Sequence, residues 1–242
     1  MEHKDLKREI PAWRYDEMKL CGVKFDSDEF ADKYDEHHQK FRDYKKEAQE
    51  RMQLLGLGRQ AVIIDMGCGT GAFAIHAASW FRKIYAVDIS NPMIEHARQK
   101  AKTAGIDNIE FHHGGFLTYE HNSEPVDGIV TSLALHHLPD FWKLIALQRM
   151  PKMLRPGGRL LLFDVVFSFD TDYETNIKRF IEAMTDRMGD EMKHELETHI
   201  RQEYSTFDWI MEGMLEKTGF RIKKAEYKEG FFSNYLCEKK EE

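Results

Sequence analysis

The stretch that decides the fold runs from residue 62 to residue 72 and reads Val62-Ile63-Ile64-Asp65-Met66-Gly67-Cys68-Gly69-Thr70-Gly71-Ala72. An apolar run ends in an acidic residue, and three alternating glycines then lead into a helical segment. The apolar run is short enough to be a buried strand. Glycines permit a tight turn from strand to helix and let the backbone approach a ligand closely. The stretch therefore predicts a ligand-binding loop between a strand and a helix.

Outward from this loop, short apolar runs alternate with helical segments. The runs lie at 61–65, 84–88, 109–112, 128–132 and 159–165. This alternation is typical of βαβ units and a mostly parallel sheet. Two later runs, at 221–227 and 231–238, are close enough to pair as an antiparallel hairpin. Together the runs predict a seven-stranded α/β sheet with a C-terminal hairpin.

Local signals place the ends of several helices. Ser90 and Pro92 predict a helix start before a helix that ends near Gly105. Further helices are predicted at 72–81, at 141–154 with Pro151 kinking or ending it, and at 173–188. The segment 155–158, Arg-Pro-Gly-Gly, predicts a turn into the fifth strand. Ser205 and Asp208 predict a capping box for a helix that runs to Gly219.

The first fifty or so residues differ from the rest of the chain and are predicted to be helical. Phe41, Tyr44, Ala48, Met52 and Leu55 recur at helical spacing, and Gly56 is placed to end their helix. We expect an N-terminal helical cap over residues 1–57. Residues 58–242 form the main domain in this interpretation, with a helical lid inserted at about 166–205.

Composition narrows the functional classes. The chain has 242 residues, a formal net charge of -7 and basic residues interspersed with acidic ones, which argues against a large phosphate-tracking surface and so against nucleic acid as partner. The three cysteines form no CxxC pair, so neither a disulfide framework nor a zinc knuckle is indicated. No apolar run approaches the roughly 20 residues that span a bilayer. We expect a cytoplasmic protein without a membrane span.

Two acidic residues decide between cofactor classes. Asp88 closes the second strand about 20 residues after the glycines, where its carboxylate can accept hydrogen bonds from the ribose hydroxyls of an adenosine. Gly67, Gly69 and Ala72 also satisfy the fingerprint of dinucleotide-binding enzymes. Asp65, however, would repel a pyrophosphate, whereas its charge suits the ammonium and sulfonium of S-adenosylmethionine. The sequence favours a cationic cofactor.

Four segments carry a resemblance to a known family. They are IIDMGCGTGAF at 63–73, AVDISNPMI at 86–94, DGIVTSLALHHL at 127–138 and RPGGRL at 155–160. In this order and spacing they resemble the successive motifs of class I S-adenosylmethionine-dependent methyltransferases, in style the small-molecule group similar to ubiquinone and menaquinone methyltransferases. The resemblance covers roughly residues 34–237. It implies a Rossmann-like fold and S-adenosylmethionine as cofactor, with S-adenosylhomocysteine as product.

The resemblance also implies roles for individual residues. The methionine part would be wrapped by Asp65, Gly67, Cys68 and Gly69, and the ribose would be bound by Asp88. One face of the adenine would be covered by Ile89 and Met93. Ser132 and Leu133 would follow the fourth strand beneath the sulfonium, and Tyr34 would fold over the cofactor from the cap. The family usually has Gly-Asp after the third strand, with the acid on the adenine amino group, but this chain has Gly114-Gly115-Phe116. Gly115 removes that contact, which leaves Phe116 to bond the ring through its N–H or to stack on it.

Histidines are the candidates for acid–base chemistry. Methyl transfer is an in-line displacement for which alignment of the acceptor often suffices, and His137, just past the fourth strand, is the candidate base where one is needed. A histidine there could equally only bond the backbone. The segment 194–199, HELETH, comes near a zinc-binding motif, but His199 is one place too late to share a helical face with His194. We expect a solvated helix there and no metal.

The predicted function is methyl transfer from S-adenosylmethionine to a small-molecule acceptor. Three alternatives stay open at this point: a module that senses S-adenosylmethionine or acts as a scaffold without catalysis, a nicotinamide-dependent oxidoreductase, and an RNA methyltransferase. The oxidoreductase would need a catalytic Tyr or Lys near the fourth strand, where the chain has Ser132-Leu133-Ala134-Leu135-His136. The identity of the acceptor and the oligomeric state do not follow from the sequence.

Overall fold

The computed structural model describes residues 11–19, 21–22, 27–40, 42–169 and 171–241. Its central feature is a mostly parallel sheet whose strands follow the order β3-β2-β1-β4-β5-β8-β7, with a short β6 paired to β5. The strands are β1 Val62–Met66, β2 Lys83–Asp88, β3 Ile109–His113, β4 Val126–Ser132, β5 Leu154–Phe167, β6 Thr206–Phe207, β7 Phe220–Lys228 and β8 Phe232–Lys239. β8 lies between β5 and β7 and is antiparallel to both. The predicted α/β fold with a C-terminal hairpin is confirmed.

Eight α-helices pack around this sheet in the described part of the chain. They are α1 Asp28–His38, α2 Tyr44–Leu55, α3 Ala72–Ala77, α4 Asn91–Thr103, α5 Asp140–Met153, α6 Tyr173–Met188, α7 Glu191–Gln202 and α8 Asp208–Lys217. A single 3-10 turn, Leu135–His137, follows β4. None of the helices among the described residues combines the length and the apolar character needed to cross a membrane.

Side chains that alternate along the strands build two cores on opposite faces of the sheet. On one face Ile63 packs with the buried side of α2, including Met52 and Leu55. On the other face Ile64 packs with apolar residues of α5 and α8. A third cluster joins Phe180 and other residues of α6 and α7 to the end of β5. The parallel strands are therefore covered on both sides, as their continuous apolar sequences require.

Several local predictions were wrong in detail. Residues 155–158 do not precede β5 but lie within it, where the pairing with β4 jumps from Val126–Leu154 to Gly128–Arg159, so that the extra residues bulge out. The helix expected at 72–81 already ends at Ala77. The predicted capping box is absent, because Phe207 is the N-cap of α8 and the Ser205 hydroxyl contacts His199 instead.

The N-terminal region is less helical than expected. Residues 11–19 form turns and irregular structure, and the described helices begin with α1. Helix α2 ends as predicted at Gly56, which has a left-handed backbone conformation with φ 61°. Phe41 lies outside the described residues. The division at residue 57 into a cap and a main domain stays a prediction.

Candidate functional site

One cleft opens where β1, β2 and β4 end at their carboxyl edge. It encloses about 1260 Å³ of empty space, part of it open to solvent, compared with roughly 300–1,000 Å³ for typical ligand pockets. All thirteen residues singled out from the sequence line it: Tyr34, Asp65, Gly67, Cys68, Gly69, Asp88, Ile89, Met93, Gly115, Phe116, Ser132, Leu133 and His137. The fold thus brings together residues spread over more than a hundred positions.

The glycine-rich loop has the backbone shape that only glycines tolerate well. Gly67 and Gly69 have φ values of 75° and 53°. The N–H groups of Gly67 and Cys68 donate to the carbonyl of Val87 at 2.8 and 3.0 Å, which ties the loop to β2. A Cβ at Gly67 would overlap the Ala134 side chain after β4. The loop therefore holds its backbone against β2 and β4 while one side faces the cleft.

Asp65 is the residue before the end of β1, and one oxygen of its carboxylate lacks a hydrogen-bond partner among the described residues. The side chain is 3% exposed, and the oxygen in question is Oδ2. Burial raises its pKa to about 7, while the guanidinium of Arg51 opposes the shift and the carboxylate of Asp88 adds to it. A buried acceptor left without a donor costs free energy unless a ligand completes it. The position suits a cationic donor such as an ammonium group.

Asp88 ends β2 with its two oxygens turned toward the loop and the cleft. Oδ2 accepts from the N–H of Gly69 at 2.7 Å, and Oδ1 accepts from the N–H of Ser90 at 2.8 Å. Each carboxylate oxygen has capacity for one further hydrogen bond. Burial raises the pKa of this carboxyl, and the backbone N–H donors oppose the shift. Asp88 can therefore stabilise the loop and still accept two hydroxyl donors.

Helix α1 reaches the cleft through a buried ionic contact. Asp35 Oδ1 accepts from the Thr70 hydroxyl at 2.6 Å, and its Oδ2 pairs with Lys100 of α4. Lys100 also donates to the Thr70 carbonyl at 3.0 Å. This contact fixes α1 against the glycine loop and sets the neighbouring Tyr34, whose ring stacks on His38 at 3.9 Å, at the rim of the cleft.

The cleft is also lined by three charged residues of α2 and the segment just before it that no sequence motif indicated: Arg42, Glu47 and Arg51. Arg51 of α2 donates to the Ser132 hydroxyl at 2.9 Å and to Glu47 at 3.1 Å, and Glu47 also binds Arg42 at 2.7 Å. The Arg51 side chain is only 12% exposed. The i,i+4 spacing of Glu47 and Arg51 would have indicated an ion pair on a helix, but nothing local indicates that it faces the end of β4.

Glu17 lies where the sequence showed a missing acid. Its carboxylate, 5% exposed, accepts from the N–H of Leu117 at 2.9 Å and from the Thr118 hydroxyl at 2.7 Å. A Cβ built on Gly115 would lie 2.6 Å from Glu17 Oε2. The N-terminal segment thus places a carboxylate in the space that a side chain at Gly115 would fill. Burial raises the pKa of Glu17.

Leu133 and His137 form the far wall of the cleft. Leu133 adopts φ 52°, unusual for a non-glycine residue, and its N–H donates to the Phe163 carbonyl at 2.8 Å. Burial lowers the pKa of His137 to about 3, which keeps its ring neutral. Its Nδ1 lies 3.7 Å from Cys21 Sγ, and its carbonyl accepts from the Tyr15 hydroxyl at 3.3 Å. A neutral ring has one nitrogen that donates and one that can accept a hydrogen bond.

Comparison with known proteins indicates the class of enzyme to which this chain is related. Residues 63–158 match a family described as a methyltransferase domain. An uncharacterized methyltransferase of Geobacillus sp. (strain WCH70) is 23% identical over 199 residues, or 81% of this chain and 88% of that protein. A demethylmenaquinone methyltransferase of Bacillus licheniformis is 25% identical and covers 80% of each chain. The chain therefore contains a methyltransferase domain over residues 63–158.

A solved structure shares the fold of this methyltransferase. The S-adenosylmethionine-dependent methyltransferase of Clostridium acetobutylicum superposes with a TM-score of 0.65 at 16% identity, over 88% of this chain and 98% of that one. The Rossmann-like fold expected from the motifs is confirmed. The nicotinamide-dependent oxidoreductase and the non-catalytic module are set aside, because the matched family and the relatives of this chain are methyltransferases.

The residues of the cleft fit S-adenosylmethionine. The unpartnered Oδ2 of Asp65 would accept from the ammonium group, and the free capacity of Asp88 would meet the ribose hydroxyls. The loop glycines leave room for the ligand beside the backbone, where side chains would intrude. The guanidinium of Arg51, already near Asp65 and Ser132, would complement the methionine carboxylate.

Proposed function

We propose that this methyltransferase acts on a small molecule held between Leu133, His137 and the N-terminal segment. The observation that carries the proposal is the enclosure of the cleft: besides the sheet and its loops, it is lined by helices α1 and α2 and by Glu17, Lys19 and Cys21 of the N-terminal segment. A cleft roofed in this way admits a compact acceptor more readily than a nucleic acid strand. One relative is a demethylmenaquinone methyltransferase, and its name also supports a small-molecule acceptor for this chain.

Different residues of the cleft would bind different parts of the cofactor. We assign the methionine part to Asp65, Arg51 and the loop Gly67-Cys68-Gly69, and the ribose to Asp88. The adenine would lie between Ile89 and Met93 on one side and Phe116 on the other, with Glu17 as acceptor for its amino group. Ser132 and Leu133 would bound the reacting centre, and Tyr34 would cover it. S-adenosylmethionine supplies an activated methyl group, so the protein's own task is to orient the acceptor and exclude water.

His137 is the group we place beside the acceptor. Its neutral ring can accept a hydrogen bond from a hydroxyl, amine or thiol and so turn the lone pair of that group toward the methyl. We expect His137→Ala to lower turnover while leaving the affinity for S-adenosylhomocysteine unchanged. His137→Gln retains an acceptor and should recover part of the loss. Weakened cofactor affinity in His137→Ala would place this residue in the cofactor site instead.

The experiment that tests the function is an acceptor screen. The purified protein is incubated with S-adenosylmethionine labelled in the methyl group and with panels of small hydroxyl, amine, thiol and quinol compounds, while total RNA and a protein lysate form separate arms. Transfer of label to a small compound, lost in Asp88→Ala, supports the proposal. Transfer only to RNA or to protein overturns the assignment of a small acceptor.

A further inference from the structure

Outside the cleft, four titratable side chains from distant parts of the chain converge in the interior. His136 comes from the 3-10 turn after β4, Asp164 from β5, His199 from α7 and Glu203 from the residue after α7. Their side chains are 8%, 2%, 12% and 3% exposed. None of them is used in the proposed reaction. Helix α7 was predicted from the sequence to be solvated, and this prediction is wrong for His199.

The hydrogen bonds define how His136 is protonated. Asp164 Oδ1 contacts His136 Nδ1 and also accepts from the N–H of Val165 at 2.8 Å, and Oδ2 accepts from the N–H of His136 at 3.1 Å. A carboxylate with these donors accepts only, so Nδ1 carries the proton. In a neutral ring, Nε2 is then a lone pair that points away from Asp164.

That lone pair faces another acceptor. His136 Nε2 lies 3.4 Å from Glu203 Oε2, and the same oxygen contacts Nδ1 of His199. Two acceptors at this distance need a positive charge between them, either a proton or a cation. The nearby ammonium of Lys143 does not serve, because it binds Asp140 and the carbonyl of Tyr204. A proton on Nε2 can fill this role, because the carboxylates of Asp164 and Glu203 raise the pKa of His136 to about 9 although burial opposes the shift. A divalent cation bound to His136 Nε2 and Glu203 Oε2 would replace that proton.

The geometry points to a divalent transition-metal site, and we propose that His136, His199 and Glu203 bind one such ion, with zinc as the probe. One ligand atom from each of the three residues lies within 4.8 Å of the others. Tetrahedral zinc, with bonds of about 2.0–2.1 Å, places its ligands about 3.4 Å apart, and the pair His136 Nε2 and Glu203 Oε2 already has this separation. Two imidazoles and a carboxylate are a ligand set that zinc uses.

The surroundings are those of a built site. Asp164 fixes the ring orientation and tautomer of His136, the outer-shell arrangement typical of metal-bound histidines. The N-terminal segment closes over Glu203, since a Cβ at Gly22 would overlap Glu203 Oε1. The ion would join α7 to the turn that carries His137, the residue on the cleft wall. It would thus hold the helical lid against the acceptor side of the cleft.

The test uses the full chain after removal of metals with a chelator. Calorimetric titration with Zn²⁺ should show one equivalent bound, and Co²⁺ should give the intense visible absorption of a tetrahedral site. His199→Ala and Glu203→Gln should abolish this binding. Asp164→Asn should weaken it about 10–100-fold by loosening His136. The matched control is His194→Ala, an exposed histidine on the same helix, which should bind like the parent.

Two outcomes would overturn the proposal. The first is the absence of stoichiometric binding in the parent protein, measured without any substitution and so independent of whether the variants fold. The second is equal binding in His199→Ala, Glu203→Gln and the parent, or loss of binding only in Cys21→Ser, which would place the ion elsewhere. Neither outcome bears on methyl transfer, because affinity for S-adenosylhomocysteine is measured separately.

Discussion

At the scale of single residues, the charge of Asp65 couples cofactor binding to pH. Burial raises its pKa to about 7, above the ordinary value of 3.8 for an aspartate. The proton is therefore held more tightly in the folded protein, and the fold loses stability as pH rises between these values. A cationic ligand needs the ionised form, so binding must expel that proton below about pH 7.

The first prediction follows from this sign. Affinity for S-adenosylhomocysteine should be about tenfold weaker at pH 6 than at pH 8, since each pH unit below the pKa costs a factor of about ten. Calorimetry in buffers with different ionisation enthalpies should detect proton release at pH 6. Asp65→Asn should bind more weakly and lose the pH dependence. A dependence that persists in Asp65→Asn would assign it to another group.

The second prediction concerns Asp88. Removing its carboxylate in Asp88→Ala should weaken binding of S-adenosylhomocysteine by about 1–3 kcal/mol, because two hydroxyls lose their acceptor and Gly69 loses its anchor. Asp107→Ala removes an exposed carboxylate in the turn after α4 and is the matched control. Calorimetric titration measures both, and equal affinities would refute the assignment to ribose.

The third prediction uses the contact between Glu17 and Gly115. Gly115→Asp places a second carboxylate against Glu17 and should weaken cofactor binding through overlap and like charge. Glu17→Ala alone should weaken it by about 1–3 kcal/mol through loss of the acceptor. The double variant moves the acid from one segment to the other and should bind better than either single variant. Additive losses would show that the two carboxylates do not substitute for each other, and unchanged affinity in Glu17→Ala would show that Glu17 does not bind the adenine.

At the scale of elements, α2 connects local helix signals to the site. Asp43 caps its N-terminus by accepting from the N–H of Lys46 at 3.0 Å, and Gly56 ends it. Its buried face packs on α3 and β1. Arg51 lies outside that face and donates a hydrogen bond to Ser132 at the end of β4. The sequence predicted the helix from its periodicity, but the direction of Arg51 depends on which face the sheet covers.

The fourth prediction separates the stability of α2 from binding. Asp43→Ala should lower the free energy of unfolding by about 1 kcal/mol through loss of the cap, a shift in Tm of about 2–4 °C for a chain of this size. Asp43→Ser keeps a capping oxygen and should lose less. Thermal denaturation measures the shift, and affinity for S-adenosylhomocysteine should stay unchanged in both. Equal stability of Asp43→Ala and the parent would mean that the cap does not contribute.

At the scale of the whole molecule, the site is closed by parts of the chain far apart in sequence. Glu17 of the N-terminal segment, Tyr34 of α1 and His137 of the turn after β4 line the same cleft as the loop after β1. We propose that α1 and α2, the described helices of the predicted cap, become more ordered when the cofactor binds. The ion pair of Asp35 with Lys100 joins α1 to α4.

The fifth prediction tests this closure. Addition of S-adenosylhomocysteine should slow hydrogen exchange in α1 and α2, because the ligand fills the space beneath them, and should leave α8 on the far face unchanged. Asp35→Asn should reduce the protection of α1 while α8 stays the same. Protection spread evenly over all helices would indicate global stabilisation rather than closure of the cap.

The sequence by itself determined the mostly parallel sheet, the positions of its first five strands along the chain and the glycine loop. These depend on local signals: apolar runs, turn residues and an acid near the ends of β1 and β2. The thirteen residues it selected meet at one cleft, since the carboxyl ends of parallel strands share an edge. Their individual roles stay predictions. Only the tertiary structure decided the contributions of Glu17, Arg51 and the cluster around His136 and His199. Each of these depends on two segments that lie far apart in the chain, and no local pattern of residues encodes which face of one segment will meet the other.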